Sequence, residues 1–139
     1  IEQKMIRELS KQIDKINTEM KVIIDGNVTF KKTYELVTSV KGIGDQTAII
    51  IIIFTENFTK FENWRKFASY CGIAPFPYQS GTSIKGRTKV NHMADKKMKS
   101  LLQMCAMTTL KYDSQLKEYY FKKKEEGKNS MLVLNNIRC

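Results

Sequence analysis

The fold is decided by a stretch that runs Leu-Val-Thr-Ser-Val-Lys-Gly-Ile-Gly-Asp-Gln-Thr-Ala, from Leu36 to Ala48. Apolar residues lead into the triplet Gly42-Ile43-Gly44, and a second apolar segment, residues 47–54, follows it. Because glycine allows tight turns, we predict two helices, residues 33–40 and 47–54, joined by a tight hairpin. The five isoleucines at 49–53 are also typical of a buried strand, which leaves strand as the alternative for the second segment.

The same stretch matches the helix-hairpin-helix pattern. In that pattern the glycines let backbone N–H groups face a phosphate at the start of the second helix. Lys41 adds a positive charge, while Asp45, which we expect to cap the second helix, adds a negative one. We predict phosphate contacts by Lys41, Gly42 and Gly44 that read no base sequence. An ordinary αα-hairpin, whose glycines only form the turn, is the alternative.

The second informative stretch is Gln79-Ser80-Gly81, which precedes a basic segment at residues 85–89. A serine beside a glycine can lie at an exposed turn, where the missing Cβ lets a substrate backbone approach. Residues 73–91 hold both prolines, so we predict a loop there, with a short hairpin as an option. Ser80 is a candidate nucleophile for a phosphodiester, and Gly81 a candidate DNA contact. A loop serine without chemistry is the alternative.

Cations follow the serine closely and suit a phosphate backbone. Six of them lie between residues 85 and 99, against the single acid Asp95: Lys85, Arg87, Lys89, Lys96, Lys97 and Lys99. We predict DNA contacts by Lys85, Arg87, Lys89 and Lys99, with a solvated charged face as the alternative. His92 lies among them, either as a surface residue or as a general acid.

The whole chain is basic. Its 139 residues carry 24 Lys and Arg against 14 Asp and Glu, a net charge of +10. That excess favours a polyanionic partner, and nucleic acid, here DNA, is the usual one. An anionic membrane surface is disfavoured, because no segment combines a Lys-rich face with an apolar face of adequate length.

Residues 1–25 carry an apolar heptad, in which polar residues separate six positions spaced three and four apart: Ile6, Leu9, Ile13, Ile16, Met20 and Ile23. The pattern predicts the end of a coiled-coil helix that forms a homo-oligomer, with a helix packed on its own domain as the alternative. Residues 25–27 mark a break. We therefore divide the chain into residues 1–27 and a second domain at 28–139.

The remaining helices complete an all-α fold class, a helix-hairpin-helix-like domain with a catalytic loop. We predict helices at 57–70, 94–112 and 114–126, and a last one from about residue 130. Ser114 is expected to cap the third of these. The apolar faces are predicted to contain Phe58, Phe61, Trp64, Phe67 and Ala68 in the first, and Met98, Leu101, Leu102, Cys105 and Met107 in the second.

Other classes of site and location are disfavoured. Three widely spaced cysteines, Cys71, Cys105 and Cys139, suit reduced thiols, and with His92 alone they make no zinc site. No apolar run is long enough to span a membrane, and no signal-peptide pattern opens the chain, so we expect a cytoplasmic protein. Both ends lead us to expect a fragment of a longer one.

Taken in order, these residues resemble a known family. The order of Gly42-Ile43-Gly44, Phe67-Ala68-Ser69-Tyr70-Cys71-Gly72-Ile73-Ala74-Pro75, Gln79-Ser80-Gly81, Gly86 and Lys99-Ser100-Leu101-Leu102 is similar to the C-terminal domain of IS110-type insertion-sequence transposases, which Piv-type DNA invertases share. The resemblance covers roughly residues 33–112. It departs at Ala94, where the family usually has glycine, at Lys99, where arginine is common, and at residues 91–93.

The resemblance implies a function and its partners. It implies that Ser80 is the catalytic nucleophile, which forms a phosphoserine link to cleaved DNA. It also implies an upstream RuvC-like domain with four acidic residues and Mg²⁺, a dimerising coiled coil and a guide noncoding RNA. No cofactor or metal is expected within these residues themselves. Two other functions stay open, a DNA-binding module that never cuts and a structural dimerisation fragment.

Overall fold

Residues 2–90 and 93–139 are described by the computed structural model of this chain, with the backbone alone for residues 80, 84, 85 and 87. The all-α expectation is confirmed, since helices dominate these residues and the one sheet is a two-stranded hairpin. No helix in the two described ranges is long and apolar enough to cross a membrane. The elements are α1 (Glu2–Asp25), α2 (Val28–Thr38), α3 (Asp45–Thr55), α4 (Trp64–Tyr70), β1 (Pro75–Ser80), β2 (Ile84–Val90), α5 (Lys96–Tyr112), α6 (Ser114–Glu125) and α7 (Ser130–Arg138).

The helical pair predicted around the Gly-Ile-Gly triplet is present as α2 and α3. α2 begins five residues earlier than predicted, because the Asn27 side chain accepts hydrogen bonds from the N–H groups of Thr29 and Phe30 (3.0 and 3.1 Å). Residues 49–53 are helical, so the strand alternative is wrong. The predicted cap is also wrong: Gly44 is the N-cap of α3, without a side-chain bond, and Asp45 is the first helical residue.

The helix predicted at 57–70 is wrong in its first half. Glu56, Asn57 and Phe58 all have positive φ (51°, 57° and 64°), which ends α3 in a left-handed turn. Thr55, fully buried, stabilises this turn, since its hydroxyl accepts from the Phe58 N–H at 3.0 Å and donates to the Ile51 carbonyl at 2.7 Å. Side-chain bonding of this kind competes with helix continuation. The helix resumes only at α4.

The core forms where α3, α4 and α5 meet. Its buried members are Ile51, Ala68, Cys71, Ile73, Met98 and Leu102. The predicted apolar face of α5 is confirmed for Met98, Leu102 and Cys105, but Met107 is 51% exposed, so its place on that face is wrong. The predicted face of residues 57–70 is wrong for Trp64, which is 65% exposed.

The later helices begin at polar caps. Asp95 caps α5 by accepting from the Met98 N–H at 2.8 Å, so the helix begins two residues later than predicted. Asp113 caps α6 through the Leu116 N–H at 3.0 Å, and the predicted cap, Ser114, is instead the first helical residue. The last helix, α7, begins where predicted.

The apolar seam of α1 lies in solvent over most of its length. Between 52% and 64% of the side chain is exposed at Ile6, Leu9, Ile13, Ile16 and Ile23. Only the C-terminal end of the helix is covered, where Ile24 is buried and Met20 half-buried. An exposed seam is what pairing with a second helix requires, and the coiled coil stays a prediction.

Candidate nucleic-acid interface

The predicted catalytic serine lies at the tip of an exposed β-hairpin. Ser80 is the last residue of β1, paired through its backbone with Ile84, and Gly81 opens the turn with φ 61°. The left-handed φ favours glycine at that position. Residues 75–79 and 81–83 are all exposed, so the arm projects from the core. The side chains of Ser80, Lys85 and Arg87 lie outside the described part of the structure, and their predicted roles remain predictions.

The base of this arm is clamped to the core. The Asp95 N–H donates to the Tyr70 carbonyl at 3.0 Å, and the Tyr70 hydroxyl donates to the Asp95 carboxylate at 3.3 Å. Burial, followed by the charge of Asp95, raises the pKa of the neighbouring Cys71 thiol to about 12. Desolvation and the Asp95 charge likewise raise the pKa of Tyr70. The two chain segments that enter and leave the hairpin are therefore held together at its root.

The C-terminal helix supports the same root. The Asn135 side-chain amide donates to the Ile73 carbonyl at 3.0 Å, two residues before β1 begins. Arg138 orients that amide by donating from Nε to Asn135 Oδ1 at 2.9 Å, and its Nη1 reaches Gln103 Oε1 on α5 at 2.8 Å. Sequence inspection missed these residues, because a bond between positions 73 and 135 leaves no local pattern.

The Gly42 turn is held against α5 by packing. Gly42 has φ 100°, and a Cβ placed there would lie 2.8 Å from the Thr109 nitrogen and 2.9 Å from the Cys105 carbonyl oxygen. The Thr109 hydroxyl donates to the Lys41 carbonyl at 2.7 Å. These contacts explain why position 42 is a glycine without invoking a bound phosphate. At Gly44, in contrast, an added Cβ would meet no atom within 4 Å.

The two sets of predicted DNA contacts lie at different ends of α5. Asp95, at the hairpin root, and Thr109, beneath the Gly42 turn, are fourteen residues apart, or about 21 Å along a helix. Lys99 is half-buried on the first turns of α5, near the hairpin. Lys41 is exposed and pairs with Asp113 at 3.8 Å. A single phosphate cannot contact both sets, whereas an extended polyanion can.

The hairpin segment contains no acids. Between Glu62 and Asp95 the sequence has no Asp or Glu but five cations: Arg65, Lys66, Lys85, Arg87 and Lys89. Carboxylates are the protein ligands that Mg²⁺ prefers, so this segment does not suit that ion. Across residues 2–90 and 93–139 no group of three or more His, Cys, Asp or Glu is placed to hold a metal. His92 falls outside the described residues.

An aromatic groove beside the hairpin was not foreseen from the sequence. It has a volume of about 660 Å³ and runs between the start of α4 and the start of β1, with Trp64 and Phe76 in its wall. The Arg65 guanidinium lies 5.3 Å from the centre of the Trp64 ring, a cation–π contact. Phe76 is 47% exposed and pairs across the strands with Lys89. The signal that could have located it is the acid-free segment in which all four residues lie.

Comparison with known proteins finds a family that covers most of this region. The model described as the Transposase IS116/IS110/IS902 family matches residues 34–121. An insertion element IS110 uncharacterized 43.6 kDa protein of Streptomyces coelicolor is 29% identical over 99 residues, 71% of this chain and 24% of its own. Pilin gene-inverting proteins of Moraxella lacunata and Moraxella bovis are each 26% identical over 102 residues, 73% of this chain and 32% of theirs. The chain thus spans about a quarter to a third of the length of these relatives.

Proposed function

Because the chain belongs to the Transposase IS116/IS110/IS902 family, we propose that it is the part of a DNA transposase or invertase that cuts and joins strands through Ser80. The observation that carries the proposal is the hairpin, which holds Ser80 next to Gly81 at the tip of an exposed arm. Its root is fixed by Tyr70, Asp95 and Asn135. A nucleophile on a firmly anchored arm can be placed reproducibly against a bound strand.

The proposed chemistry is a phosphoryl transfer in two steps. The Ser80 hydroxyl oxygen bonds to the phosphorus of a phosphodiester, and the bond from that phosphorus to one ester oxygen breaks. The serine proton passes to a base, and the departing strand end takes up a proton and leaves as a hydroxyl. The other strand end is now a phosphoserine ester. Attack on the same phosphorus by the hydroxyl of a new strand end restores a phosphodiester and frees Ser80.

Charge neutralisation is the part of this chemistry that the hairpin itself supplies. Lys85, Arg87 and Lys89 follow the serine on β2, and Lys99 lies on the first turns of α5. Cations next to a transferring phosphoryl group stabilise the charge that develops on its oxygens. The proton acceptor and the Mg²⁺ that the family resemblance implies are assigned to an upstream RuvC-like domain, because residues 63–94 contain no carboxylate.

Further partners belong to the same proposal. The exposed seam of α1 supports a homo-oligomer through a coiled coil. The net charge of +10 suits DNA, and also the guide RNA that the family resemblance implies. A second candidate function is a DNA-binding module that never cuts. It is favoured by Gly44, the exposed N-cap of α3, where no side chain caps the helix and an added Cβ would meet no atom within 4 Å.

Paired serine variants in the protein that includes its upstream domain test the proposal. Ser80→Ala should abolish strand cleavage and leave DNA binding nearly intact, because only one hydroxyl is lost. Ser83→Ala, in the turn of the same hairpin, is the matched control and should cleave normally. Normal cleavage by Ser80→Ala with loss in Ser83→Ala would assign the role to the other serine. Normal cleavage by both would exclude Ser80 and Ser83 as the nucleophile and favour a metal-activated water.

A further inference from the structure

The groove between α4 and β1 has the chemistry of a nucleobase-stacking site. Trp64 is the single tryptophan of the chain, and 65% of its side chain is exposed. Tryptophan is normally among the most buried side chains on average. Phe76, which also lines the groove, is 47% exposed. Both aromatic rings therefore lie in a surface groove and not in the core. An exposed aromatic surface of this kind suits a ligand that has an aromatic surface of its own.

The charge around the groove identifies the kind of ligand. The Arg65 guanidinium lies 5.3 Å from the centre of the Trp64 ring, and Lys89 is the backbone register partner of Phe76 on β2. Lys66 also lines the groove, although Glu62 pairs with it at 2.6 Å. Aromatic rings interleaved with cations are the combination that binds single-stranded nucleic acid, where rings stack on bases and cations follow the backbone. The groove volume of about 660 Å³ lies in the usual range for ligand sites.

We propose that this groove binds unpaired bases of single-stranded DNA by stacking on Trp64 and Phe76. The choice of DNA rests on the proposed function, since cutting and joining strands releases single-stranded ends close to the hairpin. Stacking needs bases that have left the duplex, because paired bases expose only their edges. The site would therefore hold a displaced strand while Ser80, four residues along β1 from Phe76, acts on the backbone.

Tryptophan fluorescence measures the contact directly, since Trp64 gives the whole signal. The chain is titrated with an oligothymidylate of about twelve nucleotides, within the site sizes of single-strand-binding folds, and with an abasic strand of equal length and charge. Oligothymidylate should quench strongly at saturation and the abasic strand weakly. Equal quenching by the two, or by a blunt duplex, would overturn the proposal, because the change would then report phosphate attraction rather than stacking. Quenching by oligouridylate but not by oligothymidylate would overturn the assignment to DNA.

Variants measured with a labelled strand separate stacking from general DNA binding. By fluorescence anisotropy, Trp64→Ala and Phe76→Ala should each weaken oligothymidylate binding about tenfold, or ~1.4 kcal/mol, within the range for stacking of one base. Trp64→Phe should retain most of the affinity. Tyr112→Ala, at a 68% exposed aromatic residue on the far end of α5, is the matched control and should bind normally.

The outcomes also distinguish this inference from the proposed function. Normal oligothymidylate binding by Trp64→Ala, together with no quenching of Trp64 in the native chain, would refute stacking alone and leave Ser80 chemistry untouched. A chain that binds neither single-stranded nor duplex DNA would count against both. Cleavage lost in Ser80→Ala with quenching retained would confirm that the two sites act separately.

Discussion

Replacement of Gly42 by alanine tests whether the Gly-Ile-Gly turn is there for packing. The added Cβ would lie within 3 Å of two backbone atoms of α5, the Thr109 nitrogen at 2.8 Å and the Cys105 carbonyl oxygen at 2.9 Å. Backbone in the middle of a helix cannot move aside as a flexible side chain can. The residue would also have to keep φ near 100°, a value that costs an L-amino acid about 1–3 kcal/mol.

These two effects add. Forcing extra volume into a packed contact costs ~1–3 kcal/mol, so the expected loss of unfolding free energy is on the order of 2–6 kcal/mol in total. The Thr109 hydroxyl, which donates to the Lys41 carbonyl at 2.7 Å, would be displaced as well. Against a typical domain stability of about 5–15 kcal/mol, such a loss is large enough to measure easily.

Urea unfolding followed by circular dichroism provides the assay, with Gly44→Ser as the matched control. Gly44 is two residues away, has φ −91° and nothing within 4 Å of an added Cβ. A serine there could cap α3, so its stability should be equal to that of the native chain or higher by up to ~1 kcal/mol. If Gly42→Ala unfolds within about 0.5 kcal/mol of the native chain, a change typical of a neutral surface site, the packing explanation of this glycine is refuted.

Three further predictions concern pH, assembly and DNA binding. Burial raises the pKa of the Cys71 thiol from 9.0 to about 12. The contribution of the neutral buried thiol to stability is therefore complete below pH ~9 and is lost as the pH rises towards 12. Urea midpoints should fall over that window, and a flat profile, or one unchanged by Cys71→Ala, would contradict this. Ile13→Lys with Ile16→Lys should convert any dimer to monomer while each chain stays folded, since both side chains are more than half exposed in the single chain, and an unchanged mass in sedimentation would refute pairing through the α1 seam. Affinity for duplex DNA should fall steeply, by orders of magnitude if several phosphates are contacted, between about 50 and 200 mM salt, and a nearly constant affinity would rule out phosphate neutralisation as the main contribution.

The helices that carry a local signal could be predicted from the sequence. The apolar stripe within residues 94–112 and the helix start assigned to Ser114 indicated α5 and α6 close to where the structure has them, and α7 begins at the predicted position. The helix caps predicted at Asp45 and Ser114 were each wrong by one residue, because a residue type that caps helices also occurs often in the first turn. The helix predicted from residue 57 was wrong in its first half, since a hydroxyl that bonds across a turn, as that of Thr55 does, leaves no periodic pattern in the sequence.

The candidate site, too, could be predicted only in part from the sequence. The Ser80-Gly81 turn was evident as a pair of residue types with a chemical use, and the structure adds that it ends a strand of an anchored arm. Its anchors could not be predicted, because Asn135 reaches Ile73 across 62 positions of sequence. Trp64 was assigned to an apolar face on helical spacing that continues only from α4 onward, and that error concealed the aromatic groove.

The central claim, a serine that becomes covalently linked to DNA, is tested most directly by mapping the adduct. The protein with its upstream domain is incubated with element-end DNA and Mg²⁺, denatured and digested with nuclease and trypsin, and the peptide of residues 67–85 is sequenced by mass spectrometry. We predict a nucleotide remnant on Ser80, present in Ser83→Ala and absent in Ser80→Ala. A remnant on Ser69 or Ser83, or cleaved DNA with no covalent protein adduct, would contradict the account.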